Sequence, residues 1–311
     1  MSVTLGKSVD KRKAADHMTK PVTGTWFEFQ HHSKIEGTYW NPLLKKMDDG
    51  QWRQLIRDMK AEGMEVLVLL ATALDFRAYF DTDIYPKADL NCADPIGVLL
   101  SEAEAQEMKV FMSCGYYDDW NYPLKNRQSL EVEKRAFRAM EQICEQYGHH
   151  KSLYGWYLPD EAGIDGKMTD EFMDYINRYS AQMHKLSKDY KMLVAPYGTR
   201  LICTDDEYVS QLENLDCDFI AYQDEVGVQR CQVEELAGVY EGLKRAHDKA
   251  GRSKLWADIE AFSFEGPVYD SPLLAAPEER VKRQVEAVSP FVDRVLIYEY
   301  QVRLGKHVEI K

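Results

Sequence analysis

Two short segments of this 311-residue chain carry carboxylates placed for chemistry: SLYGWYLPDEAG, where Asp160 and Glu161 follow Pro159, and KLWADIEAF, which contains Asp258 and Glu260. Hydrolysis of a glycosidic bond needs one carboxylic acid to protonate the leaving oxygen and a second carboxylate to attack the anomeric carbon or activate water. Glu161 and Glu260 are the natural pair for those two tasks. In KLWADIEAF alternate residues share a face, which puts Trp256, Asp258 and Glu260 on one side and Leu255, Ala257 and Ile259 on the other. The apolar side should meet helices, so Glu260 is expected to point inward or upward.

Further polar groups recur at the same level of other apolar runs: Glu28 and Gln30, then Tyr222, Gln223, Asp224 and Glu225, then Tyr298 and Glu299. Apart from Glu225, and together with Asp160 and Asp258, they are candidates for binding sugar hydroxyls, and several must be structural. Glu28 and Glu299 would lie on adjacent strands of a closed sheet, so one should be protonated or paired with a cation such as Arg294 or Arg303. Aromatic residues make up 12% of the chain and many fall between the periodic segments. A sugar ring can stack its C–H face on such side chains, and Trp40 and Trp120 are the expected platforms. His31 and His32 read as hydrogen-bonding histidines rather than ligands, so no metal and no cofactor is expected. Dinucleotide, P-loop, nucleophile-elbow and zinc-protease motifs are absent from the sequence.

The elements that must position these groups are β-rich runs alternating with stretches of helical period, eight times over. Strands are expected at Thr25–Gln30, Glu65–Ala71, Lys109–Gly115, Leu153–Leu158, Lys191–Pro196, Phe219–Gln223, Leu255–Glu260 and Arg294–Glu299. Eight such units predict a single-domain (β/α)8 TIM barrel over residues 23–303, with an N-terminal extension at 1–22 and a C-terminal tail at 304–311. Helix starts are marked by Asp49, by Asp94-Pro95 and by Thr169, and helix ends by Gly63 and Gly251. The final helix should be short or replaced by the N-terminal segment. Long aromatic connections follow the first two strands, whereas connections into strands are short, which places the site at the C-terminal rim.

Composition narrows the partners. A formal charge of −13 repels phosphate backbones and anionic headgroups, so neither nucleic acid nor a membrane is expected as a partner. Apolar runs such as Val66 to Ala71 are far shorter than a membrane span, and the first 18 residues have charges but no apolar stretch, so a cytoplasmic location is expected. Six cysteines without a CxxC pair argue for buried thiols rather than disulfides or thiolate metal sites.

The segments GWYLPDEA, DFIAYQDEVGV, LWADIEAF and the YEY of the eighth strand occur in order, and with them the chain resembles a bacterial family of glycoside-hydrolase-like barrels, domain of unknown function 4434. The resemblance spans about residues 24–303. It implies a distant kinship with retaining glycosidases whose acid/base Glu ends strand four and whose nucleophile Glu ends strand seven; by that likeness Glu161 is the acid/base and Glu260 the nucleophile. The chain departs from that pattern at Asp160, where an Asn usually precedes the acid/base. Three functions remain open: a retaining glycoside hydrolase acting on a neutral oligosaccharide, a metal-dependent sugar isomerase or epimerase, and a non-catalytic carbohydrate-binding barrel. Metal content separates the first two, and turnover of aryl glycosides separates the third.

Overall fold

The computed structural model describes residues 19–304. Eight strands run parallel: β1 Val22–Phe27, β2 Val66–Leu69, β3 Lys109–Ser113, β4 Leu153–Leu158, β5 Lys191–Val194, β6 Phe219–Gln223, β7 Lys254–Glu260 and β8 Arg294–Tyr298. Each pairs with its sequence neighbours, and β1 pairs with β8, so the sheet closes into a barrel. Between them lie α1 Asp49–Ala61, α2 Pro95–Ala105, α3 Leu130–Tyr147, α4 Asp170–Leu186, α5 Asp206–Asn214, α6 Val233–Ala250 and α7 Glu278–Val288. This is a single-domain (β/α)8 barrel.

Local chemistry sets the helix ends. Asp48, one residue before the expected Asp49, caps α1: its carboxylate accepts the Gln51 N–H, and Gln51 reaches back to the Asp48 N–H. Asp94 and Thr169 cap α2 and α4 as expected. Gly251 closes α6 with φ near 62°, a conformation that favours glycine. Trp52, Leu55, Ile56 and Met59 of α1 form the buried stripe that packs on the sheet.

The barrel interior is a second, smaller core. At its N-terminal end Phe111, Phe219 and Trp256 pack with Tyr154, and the Phe219 and Trp256 rings lie 4.2 Å apart. Tyr154 is the extra residue of a bulge, since Val110 faces Leu153 while Phe111 faces Gly155. One layer higher, Trp26 meets Tyr157 at 5.9 Å and Tyr298 at 6.2 Å. These aromatic layers seal the lumen below the carboxylates.

Among the described residues, the chain beyond β8 makes a 3₁₀ turn, Tyr300–Leu304. The chain past Leu304, where a final helix would continue, and most of the expected N-terminal cover, residues 1–18, fall outside the described residues. A groove of about 660 Å³ lies there, lined by Met64, Val281, Val285 and Ile297 among others. Gln301 of the turn enters the core, where its amide accepts the Glu28 N–H at 2.9 Å and donates to the Glu28 carbonyl at 2.7 Å, as a neighbouring strand would. All six cysteines are free. No helix among the described residues is long and apolar enough to cross a membrane.

Candidate active site

A pocket of about 310 Å³ opens at the C-terminal rim, and Glu161, Gln223, Asp258, Glu260 and Tyr298 all line it. Strand parity delivers them. On β7 Trp256 faces the lumen while Leu255, Ala257 and Ile259 join the helix-side core, so Asp258 and Glu260 follow Trp256 inward, as the alternation required.

Glu161 sits one turn of chain past β4. Buried Arg127 fixes that backbone by donating to the carbonyls of Asp160 (3.2 Å) and Glu161 (2.6 Å). The Glu161 carboxyl accepts from the Tyr157 hydroxyl at 2.5 Å and from the Gln223 amide at 2.6 Å. Burial pushes its pKa up to about 7, with the Asp160 charge adding and the two donors opposing. The group is thus poised to hold and release a proton near neutrality.

Glu260 accepts the Val228 N–H at 2.8 Å. A Cβ on Gly227 would stand 2.9 Å from the same carboxylate oxygen, so glycine lets this backbone come close. Burial and the adjacent Asp224 charge raise the Glu260 pKa, while the N–H groups of Val228 and Gly227 pull toward the ionised form. Asp224 is held up at about 6 by burial, although Gln284 and the N–H groups of Glu260 and Val226 all donate to it. Asp258 lies between, 2% exposed, and its Oδ1 has no hydrogen-bond partner among the described residues. Burial, then repulsion from Glu161, Glu260 and Asp224, hold its pKa well above the carboxylate range.

Other expected contacts lie elsewhere. Trp40 is fully buried and its indole N–H donates to Glu28 at 2.8 Å, so it offers no face for stacking. Tyr222 points to the helix layer, where its hydroxyl meets Tyr208 at 2.6 Å and His247 at 3.0 Å. Asp160 is buried against Asn126, and Asp224 against α7. Gln30 is half-buried and not on the pocket wall. Trp120 is half-buried with its ring 4.6 Å from that of His32.

Glu28 and Glu299 do come together, but through His31 rather than an arginine. His31 Nδ1 is 2.9 Å from Glu28 and 3.6 Å from Glu299, while Arg294 pairs with Glu65 and Arg303 with Glu62. Burial and the Glu28 charge raise Glu299 to about 8. Glu28, His31 and His32 each offer a donor atom within 4.8 Å of the others, a grouping that could hold a metal ion. Glu36, Tyr116 and Arg230 also line the pocket and were not singled out from sequence. The guanidinium of Arg230 lies over the rings of Tyr197 (5.9 Å) and Tyr269 (5.7 Å), a loop contact with no short-range sequence signal.

No curated protein matches the chain in sequence. Among solved structures, a Bacteroides thetaiotaomicron protein provisionally described as an alpha-L-fucosidase superposes with a TM-score of 0.72 at 18% identity, covering 97% of this chain and 92% of its own. An endo-1,4-beta-D-mannanase from Thermotoga petrophila gives 0.60 at 9% identity, covering 90% of this chain and 88% of its own. A family 18 chitinase from Pseudoalteromonas aurantia gives 0.52 at 11%, covering 90% of this chain and 94% of its own. At such identities the likeness shows a shared (β/α)8 fold. In sequence, residues 22–306 match the family described as Domain of unknown function (DUF4434), and the chain belongs to that family.

Proposed function

We propose that this protein is a retaining glycoside hydrolase acting on a short neutral oligosaccharide, with Glu161 as acid/base and Glu260 as nucleophile. The observation that carries the reading is that both carboxyls line one pocket, with Glu161 raised to about 7. In the first step Glu161 gives its proton to the leaving oxygen while the Glu260 carboxylate bonds to the anomeric carbon. In the second, Glu161 takes a proton from water, which displaces Glu260 and regenerates both groups. Asp258, whose Oδ1 is buried without a partner among the described residues, is placed to bind a sugar hydroxyl.

Pocket chemistry supports the substrate class. Five carboxyls, Glu36, Glu161, Glu225, Asp258 and Glu260, share the pocket wall with one arginine, Arg230, so the lining offers hydroxyl-binding oxygens and little to pair with an anionic sugar. Phe262, Phe264 and Tyr269 supply apolar faces for a ring. The volume, about 310 Å³, is near the lower end of ligand sites, roughly 300–1,000 Å³, and suits a short sugar.

The test is turnover of a broad panel of neutral aryl glycosides, with the anomeric configuration of the first product read by NMR. Retention is expected, and a complex with an inhibitor should place the two carboxyls about 5 to 5.5 Å apart. An inverted product, or no turnover across the panel, overturns the reading.

The pH profile gives a second expected result. A general acid must be protonated, so kcat/KM should fall as pH rises through about 7, where Glu161 loses its proton. Tyr157 donates to Glu161 and so lowers its pKa. Tyr157→Phe removes that donor, and the alkaline limb should move to higher pH. An unmoved limb would assign it to another group.

A further inference from the structure

Glu28 follows β1 directly, and His31 and His32 come three and four residues later. The cluster is built rather than incidental. Glu28 and His31 are 1% and 0% exposed, Trp40 donates to the Glu28 carboxylate, and Gln301 clamps the Glu28 backbone on both sides. Asn41 fixes His31 in the same manner, accepting its N–H at 2.5 Å and donating to its carbonyl at 3.0 Å.

An ion pair between His31 and Glu28 accounts for part of this arrangement and leaves two features over. His32 Nδ1 is buried without a hydrogen-bond partner among the described residues, and so are both carboxyl oxygens of Glu299. Bare buried polar atoms are costly, and several around one point call for a bound group. Further oxygen donors stand close: Glu36 Oε2 is 3.4 Å from His31 Nε2, and Glu299 Oε1 is 3.6 Å from His31 Nδ1.

We propose that Glu28, His31 and His32 form a binding site for a divalent first-row transition metal, Zn²⁺ foremost, at the β1 side of the pocket wall. Two imidazoles and one carboxylate are the donor set of open zinc sites, whereas Mg²⁺ and Ca²⁺ take oxygen ligands. His32 and Glu36 line the pocket, so the ion's open positions face the space assigned to the sugar. There it would grip a pair of ring hydroxyls as a Lewis acid. The site lies on the loop after β1, apart from the acids of β4 and β7, so its existence does not depend on their roles.

The test uses the full chain stripped with a chelator and titrated with ZnCl2, followed by tryptophan fluorescence and by Tm. Trp40 touches Glu28 and the Trp120 ring is 4.6 Å from that of His32, so both are placed to report. One equivalent of Zn²⁺ should bind and raise Tm. His32→Ala, at a half-buried position, should weaken binding at least about tenfold, as should Glu28→Gln if it folds. Glu161→Gln should bind Zn²⁺ like the wild type, which separates this site from the hydrolase assignment. Co²⁺ is the second probe, because a thiolate charge-transfer band would place the ion on cysteines and overturn the proposal. Absence of saturable binding, or a folded His32→Ala variant with affinity within about twofold of wild type, also overturns it.

Discussion

Glu161→Gln and Glu260→Gln should each lower kcat by about 10²-fold or more while leaving Tm near that of wild type. General acid-base catalysis is worth roughly 10²- to 10⁴-fold, and loss of a covalent nucleophile leaves water without a direct substitute. Folding should tolerate both changes, since an amide keeps the shape and removes a buried, repelled charge. The two variants should also differ from each other. Glu161→Gln should keep much of its first-step rate on substrates whose leaving phenol is acidic enough to depart unprotonated, whereas Glu260→Gln should be slow on every substrate. Small anions such as azide should rescue Glu260→Ala by occupying the vacated space and giving a glycosyl azide of inverted configuration. Turnover of either Gln variant within about tenfold of wild type would sink the assignment.

Gly155→Ala should unfold the barrel at temperatures the wild type withstands. A Cβ at Gly155 would stand 2.1 Å from the Lys191 carbonyl oxygen and 2.8 Å from its carbon, both backbone atoms of the paired strand β5. Neither can rotate away, so the β4–β5 ladder must part. Overpacking of this kind costs about 3 kcal/mol or more, which denaturant unfolding would measure as a lowered midpoint with an unchanged slope. Gly251→Ala, where a Cβ meets nothing within 4 Å, is the control: it should cost only the smaller penalty of its positive φ. Equal losses in the two variants would contradict the packing argument.

The barrel was legible because its signals are local and repeated. Leu153–Leu158 and Phe219–Gln223 occupy the residues expected of them, and the others differ by a few positions at their ends. Pleat parity placed Asp258 and Glu260 in the pocket. The same rule, applied consistently, separates neighbours that the sequence reading had grouped as contacts: Tyr222 from Gln223, and Tyr298 from Glu299. One of each pair faces the lumen and the other the helix layer or the groove beside β8. Trp40 was misplaced because an aromatic in a loop carries no period to say whether it is covered, and here the polar end of the indole is used by Glu28. Arg230 and Glu36 reach the pocket through loop paths that no short pattern encodes. The grouping of His31 and His32 with Glu28 depends on how the loop after β1 folds back, which the order of residues alone does not give.

The aromatic layers beneath the carboxylates make the pocket a cul-de-sac. With Phe111, Tyr154, Phe219 and Trp256 filling the far end of the lumen, whatever enters at the rim must leave by the same door. Under the proposed reaction this imposes a queue: the departing alcohol must clear the mouth before water can approach the glycosyl-enzyme. An acceptor that lingers at the mouth stands first in line for the sugar, so high concentrations of small alcohols should divert product from hydrolysis toward glycosyl transfer.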